Sequence, residues 1–261
     1  MAKTWRRRAV RWFTIGLLTL FLVSVLPVVA MRWIDPWYSA FMLGAAIDAR
    51  VDGKHGYRTD YRWVDLEQIS PHAAVAVIAS EDQFFPYHTG FDLKSIRDAI
   101  RSNERQATHK HPHVRGASTI SQQVAKNLFL WSGRSYLRKG LEAYFTLLIE
   151  LSWPKERILE VYLNVAQFGD GIYGVEAASQ RFYAKPASRI NRYEAATLAA
   201  VLPNPIRMKA QAPSFYVAKR RDFILDQMRR LGGPNYLEEL QNPTAPPKAG
   251  ARARLEANSS N

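Results

Sequence analysis

Glu81 and Asp82 stand side by side at the end of an apolar run, Ala73 to Ser80, and lead directly into Gln83-Phe84-Phe85-Pro86-Tyr87-His88-Thr89-Gly90. Apolar surroundings disfavour the charged form of a carboxyl, so Phe84 and Phe85 are expected to raise a pKa here toward the range that a general base or acid uses. The plain alternative makes Glu81 a solvated helix-end residue and His88 a satisfied turn histidine. Taken alone the block favours that alternative, because perturbed carboxylates mark function only statistically.

Further along, Arg115-Gly116-Ala117-Ser118-Thr119-Ile120-Ser121-Gln122-Gln123-Val124-Ala125-Lys126-Asn127 reads as a polar loop feeding a helix. Gln122, Gln123 and Lys126 then fall within about one turn of each other. Arg134 and the run Arg138-Lys139-Gly140-Leu141-Glu142 follow. Lys126 as a point charge and Arg134 as a planar fork suit a multiply charged oxyanion such as a pyrophosphate. Glu142 offers a second carboxylate.

The elements that must position these residues read as helices. Ser70-Pro71 is an N-cap followed by proline at the first helical position, leading into Ala73 to Ser80. Asp92 caps an expected segment to Arg105, with Leu93, Ile96 and Ile100 on one face. Further segments span Ser118 to Trp131, Ser135 to Leu151, and Pro154 to Phe168. Asn191 with Glu194 forms a capping box for a run to Leu202, and a last helix from Ser214 to Leu231 stops at Gly232-Gly233. Only Tyr57 to Leu66 alternates enough for a short strand pair. The tail 242–261, rich in Pro, Ala, Ser and Arg, is expected to be disordered.

With these segments in place, the chain resembles the peptidoglycan glycosyltransferases, glycosyltransferase family 51, and in particular their monofunctional, membrane-anchored members. The resemblance rests on four ordered blocks spanning about half the chain. They are Glu-Asp-x-x-Phe-x-x-His-x-Gly at 81–90, Gly-x-Ser-Thr-Ile-x-Gln-Gln-x-x-Lys-Asn at 116–127, Arg-Lys-x-x-Glu at 138–142, and Lys155-x-x-Ile158-Leu159-Glu160-x-Tyr162-Leu163-Asn164. The last continues to Gly169 and Gly174-Val175-Glu176-Ala177-Ala178. Ser121 stands where the family often has threonine, and it keeps the hydroxyl.

The resemblance implies a mainly α, lysozyme-like single domain over 35–241, preceded by one transmembrane helix, and an enzyme that polymerises lipid II outside the cytoplasmic membrane. Glu81 matches the general base that deprotonates the C4 hydroxyl of the incoming GlcNAc. Lys126 and Arg134 match positions that neutralise the donor pyrophosphate. Glu142 matches a second carboxylate that organises those cations, positions substrate or helps to hold a divalent ion. Asp82, Phe85, His88, Ser118, Thr119, Gln122, Gln123, Asn127, Arg138 and Lys139 would line or support the cleft, with backbone and packing roles the alternative for each. A divalent cation, Mg2+ or Mn2+, at Glu81 or Glu142 is left open, and no organic cofactor is implied. The implied partners are lipid II, the lipid-linked glycan chain, the cytoplasmic membrane and other cell-wall synthesis proteins, with no nucleic acid.

Composition bounds these readings. The chain has 261 residues, 36 Lys+Arg against 23 Asp+Glu, a formal charge of +13 and 47% hydrophobic residues, enough for a core. No cysteine is present, which excludes disulfides, thiol nucleophiles and cysteine-ligated zinc. Five cations, Lys3, Arg6, Arg7, Arg8 and Arg11, make 1–11 a basic flank before the uncharged span 12–31, and they leave +8 for everything else. At about 1.5 Å per residue that span matches a hydrocarbon core of about 30 Å. Its length favours a retained anchor over a signal peptide cleaved near Val28-Val29-Ala30, and the flanking charge would keep the N-terminus cytoplasmic.

Three features read more plainly. His109, His111 and His113 belong to a surface loop rather than a metal site, since no nearby acid completes a ligand set. Ser152-Trp153-Pro154-Lys155 matches a transpeptidase pattern by coincidence, because no Lys-Thr-Gly follows. Tyr162, Leu163 and Asn164 are expected to pack the helix supporting the cleft. The rival functions are a muramidase-like lytic enzyme, a non-catalytic wall scaffold and a basic nucleic-acid binder.

Overall fold

The computed structural model describes residues 2–93, 97, 118–133 and 135–242. The architecture is mainly α, as the spacing predicts. Helix α1 runs Ala2–Ala30 and α2 Ala40–Val51. After the two-residue strand β1, Asp60–Tyr61, come α3, Pro71–Glu81, α4, Ile120–Phe129, α5, Tyr136–Ser152, and α6, Lys155–Val165. Strands β2, Gln167–Gly169, and β3, Ile172–Tyr173, precede α7, Val175–Tyr183, α8, Arg192–Val201, α9, Phe215–Leu231, and the single turn α10, Glu238–Gln241.

Helix α3 is the axis of the core. Every residue from Ala73 to Ala79 is buried, so the helix is apolar all round and needs neighbours on all sides. It packs against α8 and α9, while α4 packs against α2, α5 and α6. The C-terminal end of α3 meets the N-terminal end of α4, where Asp82 Oδ2 accepts Ile120 N.

Local signals placed most boundaries well. The Asn191–Glu194 capping box forms, Ser135 and Ser214 accept from Arg138 N and Val217 N, and α9 stops at Gly232 in the left-handed region, φ +99°. Ser70 sits at the start of α3 as expected, yet its hydroxyl donates to Ile190 O at 2.8 Å instead of capping. The segment expected to run to Phe168 ends at Val165, and Phe168 lies in β2. The strand pair expected within Tyr57 to Leu66 is corrected too. β1 pairs in parallel with β3, Asp60 opposite Ile172, and β3 pairs antiparallel with β2. Most of the expected helix 92–105 (all but 92, 93 and 97), the three histidines at 109, 111 and 113, and the tail from 243 on fall outside the described residues.

The N-terminal helix is continuous through the basic flank, and its stretch Trp5–Ala30, 26 residues, is long and apolar enough to cross a membrane. Its last turns are fastened to the domain through backbone oxygens that the end of a helix leaves without partners. The Trp153 indole donates to Val28 O at 2.7 Å, and Arg157 donates to Met31 O at 3.0 Å and Ile34 O at 2.9 Å. The same guanidinium reaches Asp35 at 2.8 Å and Glu160 at 2.6 Å, and lies over the Trp63 ring at 5.1 Å. Arg157→Ala removes several charge-assisted bonds worth about 1.5–3 kcal/mol each at most. Limited proteolysis of this variant should cut faster between Ile34 and Ser39, and an unchanged cutting rate would show that the helix is held by other contacts.

Candidate active site

The carboxylate of Glu81, the last residue of α3, is held from two sides. Gln123 Nε2 donates to Oε2 at 3.0 Å, Ser80 Oγ donates to Oε1 at 3.3 Å, and Arg220 NH2 of α9 forms an ion pair with Oε1 at 3.6 Å. Gln123 is itself oriented, because Tyr162 OH donates to its Oε1 at 3.2 Å. Burial and the negative charges of Glu81 and Asp82 push the Tyr162 phenol well above its ordinary pKa, so it keeps the proton that it donates. The partners of Glu81 are polar, whereas Phe85, expected beside it, is fully buried with Lys155 Nζ over its ring at 4.6 Å.

Asp82 faces the other way. Its Oδ2 accepts Ile120 N at 3.0 Å, the first backbone donor of α4, and both oxygens meet His88 Nε2 at 2.9 and 3.0 Å. Gly90 N donates to His88 Nδ1 at 3.1 Å, so the ring proton sits on Nε2 and points at Asp82. A carboxylate at a helix N-terminus is favoured by the exposed donors and the dipole there. Thr119 and Gln122 close a capping box on the same terminus, and Thr119 Oγ1 donates to Gly90 O at 2.7 Å. Gly90 is required here: its φ is +87°, and a Cβ would lie 2.7 Å from Thr146 Cγ2.

Beneath this turn lies a buried ionic group. Lys155 Nζ donates to His88 O at 2.6 Å and to Glu150 Oε1 at 2.8 Å, and Ser121 Oγ donates to the same carboxylate. The hydroxyl that Ser121 shares with threonine is thus the part the site uses. Burial lowers the Lys155 pKa and Glu150 opposes that shift. Asn164, wholly buried, exchanges hydrogen bonds with Val64 N and O at 3.0 and 2.9 Å. The fourth block, expected to pack the supporting helix, does so with Tyr162, Leu163 and Asn164 all buried.

On the other wall, Glu142 of α5 is buried between cations. Arg138 NH1 donates to its Oε2 at 3.0 Å and Lys139 Nζ to its Oε1. Lys126 is half-buried, 5.6 Å above the Phe41 ring centroid, and within electrostatic reach of both Glu142 and Glu81. Burial lowers its pKa, with Glu142 the main opposing influence. Asn127 is buried and Ser118 exposed, while Arg134 falls outside the described residues. Both carboxylates are paired with cationic side chains, Glu142 with Arg138 and Lys139 and Glu81 with Arg220. Among the described residues no group of three or more acids or histidines gathers into a metal site.

The structure thus brings Glu81, Gln123, Lys126, Arg138, Lys139 and Glu142 to one region, and turns Asp82, Phe85, His88, Thr119 and Gln122 to the scaffold under it. Sequence reasoning missed Arg220, Lys155 and Glu150 as members of the site. Only Lys155 carried a signal, its place at the head of the fourth block. Removing one partner of a buried pair strands the other charge, which costs about 3–5 kcal/mol. Lys155→Ala should therefore lower the thermal midpoint by about 6–20 °C at the usual 2–4 °C per kcal/mol for a domain of this size. A midpoint at the wild-type value would show the group to be incidental.

The sequence profile of the family described as Transglycosylase matches residues 49–229. A biosynthetic peptidoglycan transglycosylase from Xanthomonas campestris pv. campestris (strain B100) is 53% identical over 232 residues, 89% of this chain and 92% of that protein. A protein of the same name from Xylella fastidiosa (strain 9a5c) is 50% identical over 90% of this chain and 92% of its own. Another, from Salmonella agona (strain SL483), is 57% identical over 78% of this chain and 83% of its own. The matched residues contain all four blocks and the polar frame around Glu81, and the chain belongs to the transglycosylase family of peptidoglycan glycosyltransferases.

Proposed function

We propose that the protein polymerises peptidoglycan glycan strands from lipid II at the outer face of the cytoplasmic membrane. The carrying observation is the Glu81 carboxylate, fixed at Oε2 by Gln123 and faced by Arg220, with Lys126 of the opposite wall within electrostatic reach. Glu81 accepts the proton of the GlcNAc C4 hydroxyl. That oxygen bonds to C1 of the lipid-linked chain as the bond from C1 to the pyrophosphate oxygen breaks. The bonding pair leaves with undecaprenyl pyrophosphate, and attack from the opposite face inverts the anomeric centre. Lys126, supported by the Glu142 cluster, neutralises charge as it gathers on the leaving group. The resemblance assigns Arg134 the same task.

The helix Trp5–Ala30 serves as a single-pass anchor, with the basic flank in the cytoplasm and the catalytic domain outside. A lytic hydrolase has no need of cations aimed at a pyrophosphate, which favours transfer over the muramidase reading.

Glu81→Gln should abolish polymer formation from labelled lipid II on a gel, with the thermal midpoint preserved, and equal polymer from both proteins would refute the assigned base. The pH dependence follows from Lys126. Its charge is present below its pKa and lost above it, and burial brings that pKa below the ordinary 10.5. Turnover should therefore fall on the alkaline side earlier than an unperturbed lysine allows, and Lys126→Arg should move that limb to higher pH. A limb that does not move would assign the alkaline loss to another group.

A further inference from the structure

We infer that Arg220 of α9 and the Tyr162–Gln123 pair are positioning residues for Glu81, an assignment that rests on the reading of Glu81 as the base. The two carboxylate oxygens are treated differently. Oε2 is tied by a direct hydrogen bond at 3.0 Å from Gln123, whose amide cannot turn over without losing the Tyr162 hydroxyl on its Oε1. Oε1 is held at 3.6 Å by the charge of Arg220, with Ser80 Oγ at 3.3 Å. The short bond fixes the plane of the carboxylate, and the longer contacts leave Oε1 with capacity to accept a proton from an incoming hydroxyl.

The placement of Arg220 supports this task over phosphate binding. It reaches Glu81 from α9, the helix that packs against α3 and α8, whereas Arg138 and Lys139 are taken up by Glu142 on α5. Gln227, seven residues on and so on the same face of α9, accepts from Gln83 Nε2 at 3.2 Å, which locks that face against the end of α3. The Arg220 Nε is buried without a hydrogen-bond partner among the described residues. An unpaired buried donor costs free energy, and the contact the guanidinium does make is the one to Glu81. Gln123, expected to bind substrate, is on this account a group that acts through Glu81.

Steady-state kinetics with lipid II on Arg220→Met, Arg220→Lys and Tyr162→Phe tests the assignment, with thermal midpoints measured alongside. Arg220→Met and Tyr162→Phe should each lower kcat, Arg220→Met by about 10²-fold, the scale on which small misplacements act. KM should stay within about twofold, and Arg220→Lys should recover much of the loss. A raised KM with unchanged kcat would make Arg220 a substrate ligand, and wild-type kcat in Arg220→Met would remove it from the site; either overturns the inference. If Arg220→Met fails to fold, the other two variants decide by the same criteria. Glu81→Gln in the same assay separates the two claims: full activity there refutes the base itself, whereas an inactive Glu81→Gln with unaffected Arg220 and Tyr162 variants refutes only the positioning.

Discussion

The bond from Ile120 N to Asp82 fixes where the site is built. One buried carboxylate receives the first backbone donor of α4 and the His88 ring, and so joins the end of α3 to the start of the helix bearing Gln123 and Lys126. Because Asp82 follows Glu81 directly, the turn that points one acid at the helix terminus points the other toward the cleft. The two adjacent acids divide the labour: Asp82 is spent on structure, which leaves Glu81 for the proposed role as base. A helix N-terminus suits this arrangement, since its orphan donors and dipole stabilise an ionised carboxylate without a cation at that point.

Around that joint, several buried polar groups are paired in layers. Lys155, Glu150 and Ser121 fasten the turn from below, and Asn164 pins the 62–66 segment to α6. Ion pairs of this kind add little stability over an apolar core of the same shape, yet breaking one is expensive. Their contribution is geometric. They hold α3, α4, α5 and α6 in one register, on which the proposed in-line transfer would depend. Arg157 and Trp153 extend the same logic to α1, so the helix that would enter the membrane is hydrogen-bonded to the domain at its last turn.

The sequence made the candidate residues legible and left their support obscure. Glu81, Lys126 and Glu142 stood out through the blocks on which the family resemblance rests, since the Glu81 block taken alone favoured a solvated helix end. The capping box at Asn191 and the stop at Gly232 could be read because caps are local. Parallel pairing of Asp60 with Ile172 could not, since register between distant two-residue strands leaves no local pattern. Arg220 was hidden for a related reason: α9 carries a run of charges that reads as a solvated face, and nothing within the helix marks which one meets Glu81. The aromatic neighbours of Glu81 suggested an apolar cradle, but Phe85 turns inward under Lys155 and polar groups take its place.

The basic charge also divides along these lines. Five cations precede the apolar span, where they would set the orientation of the proposed anchor, and Lys126, Arg138 and Lys139 gather around Glu142. The central claim is that Glu81 acts on the reaction rather than on substrate capture or folding. The most direct measurement is the equilibrium affinity of Glu81→Gln for fluorescent lipid II, set beside that of the wild type under identical detergent conditions. An affinity within about threefold of wild type is the result this structure leads us to expect, because a group acting only in the transition state leaves ground-state binding intact. Loss of binding in parallel with loss of turnover would contradict it.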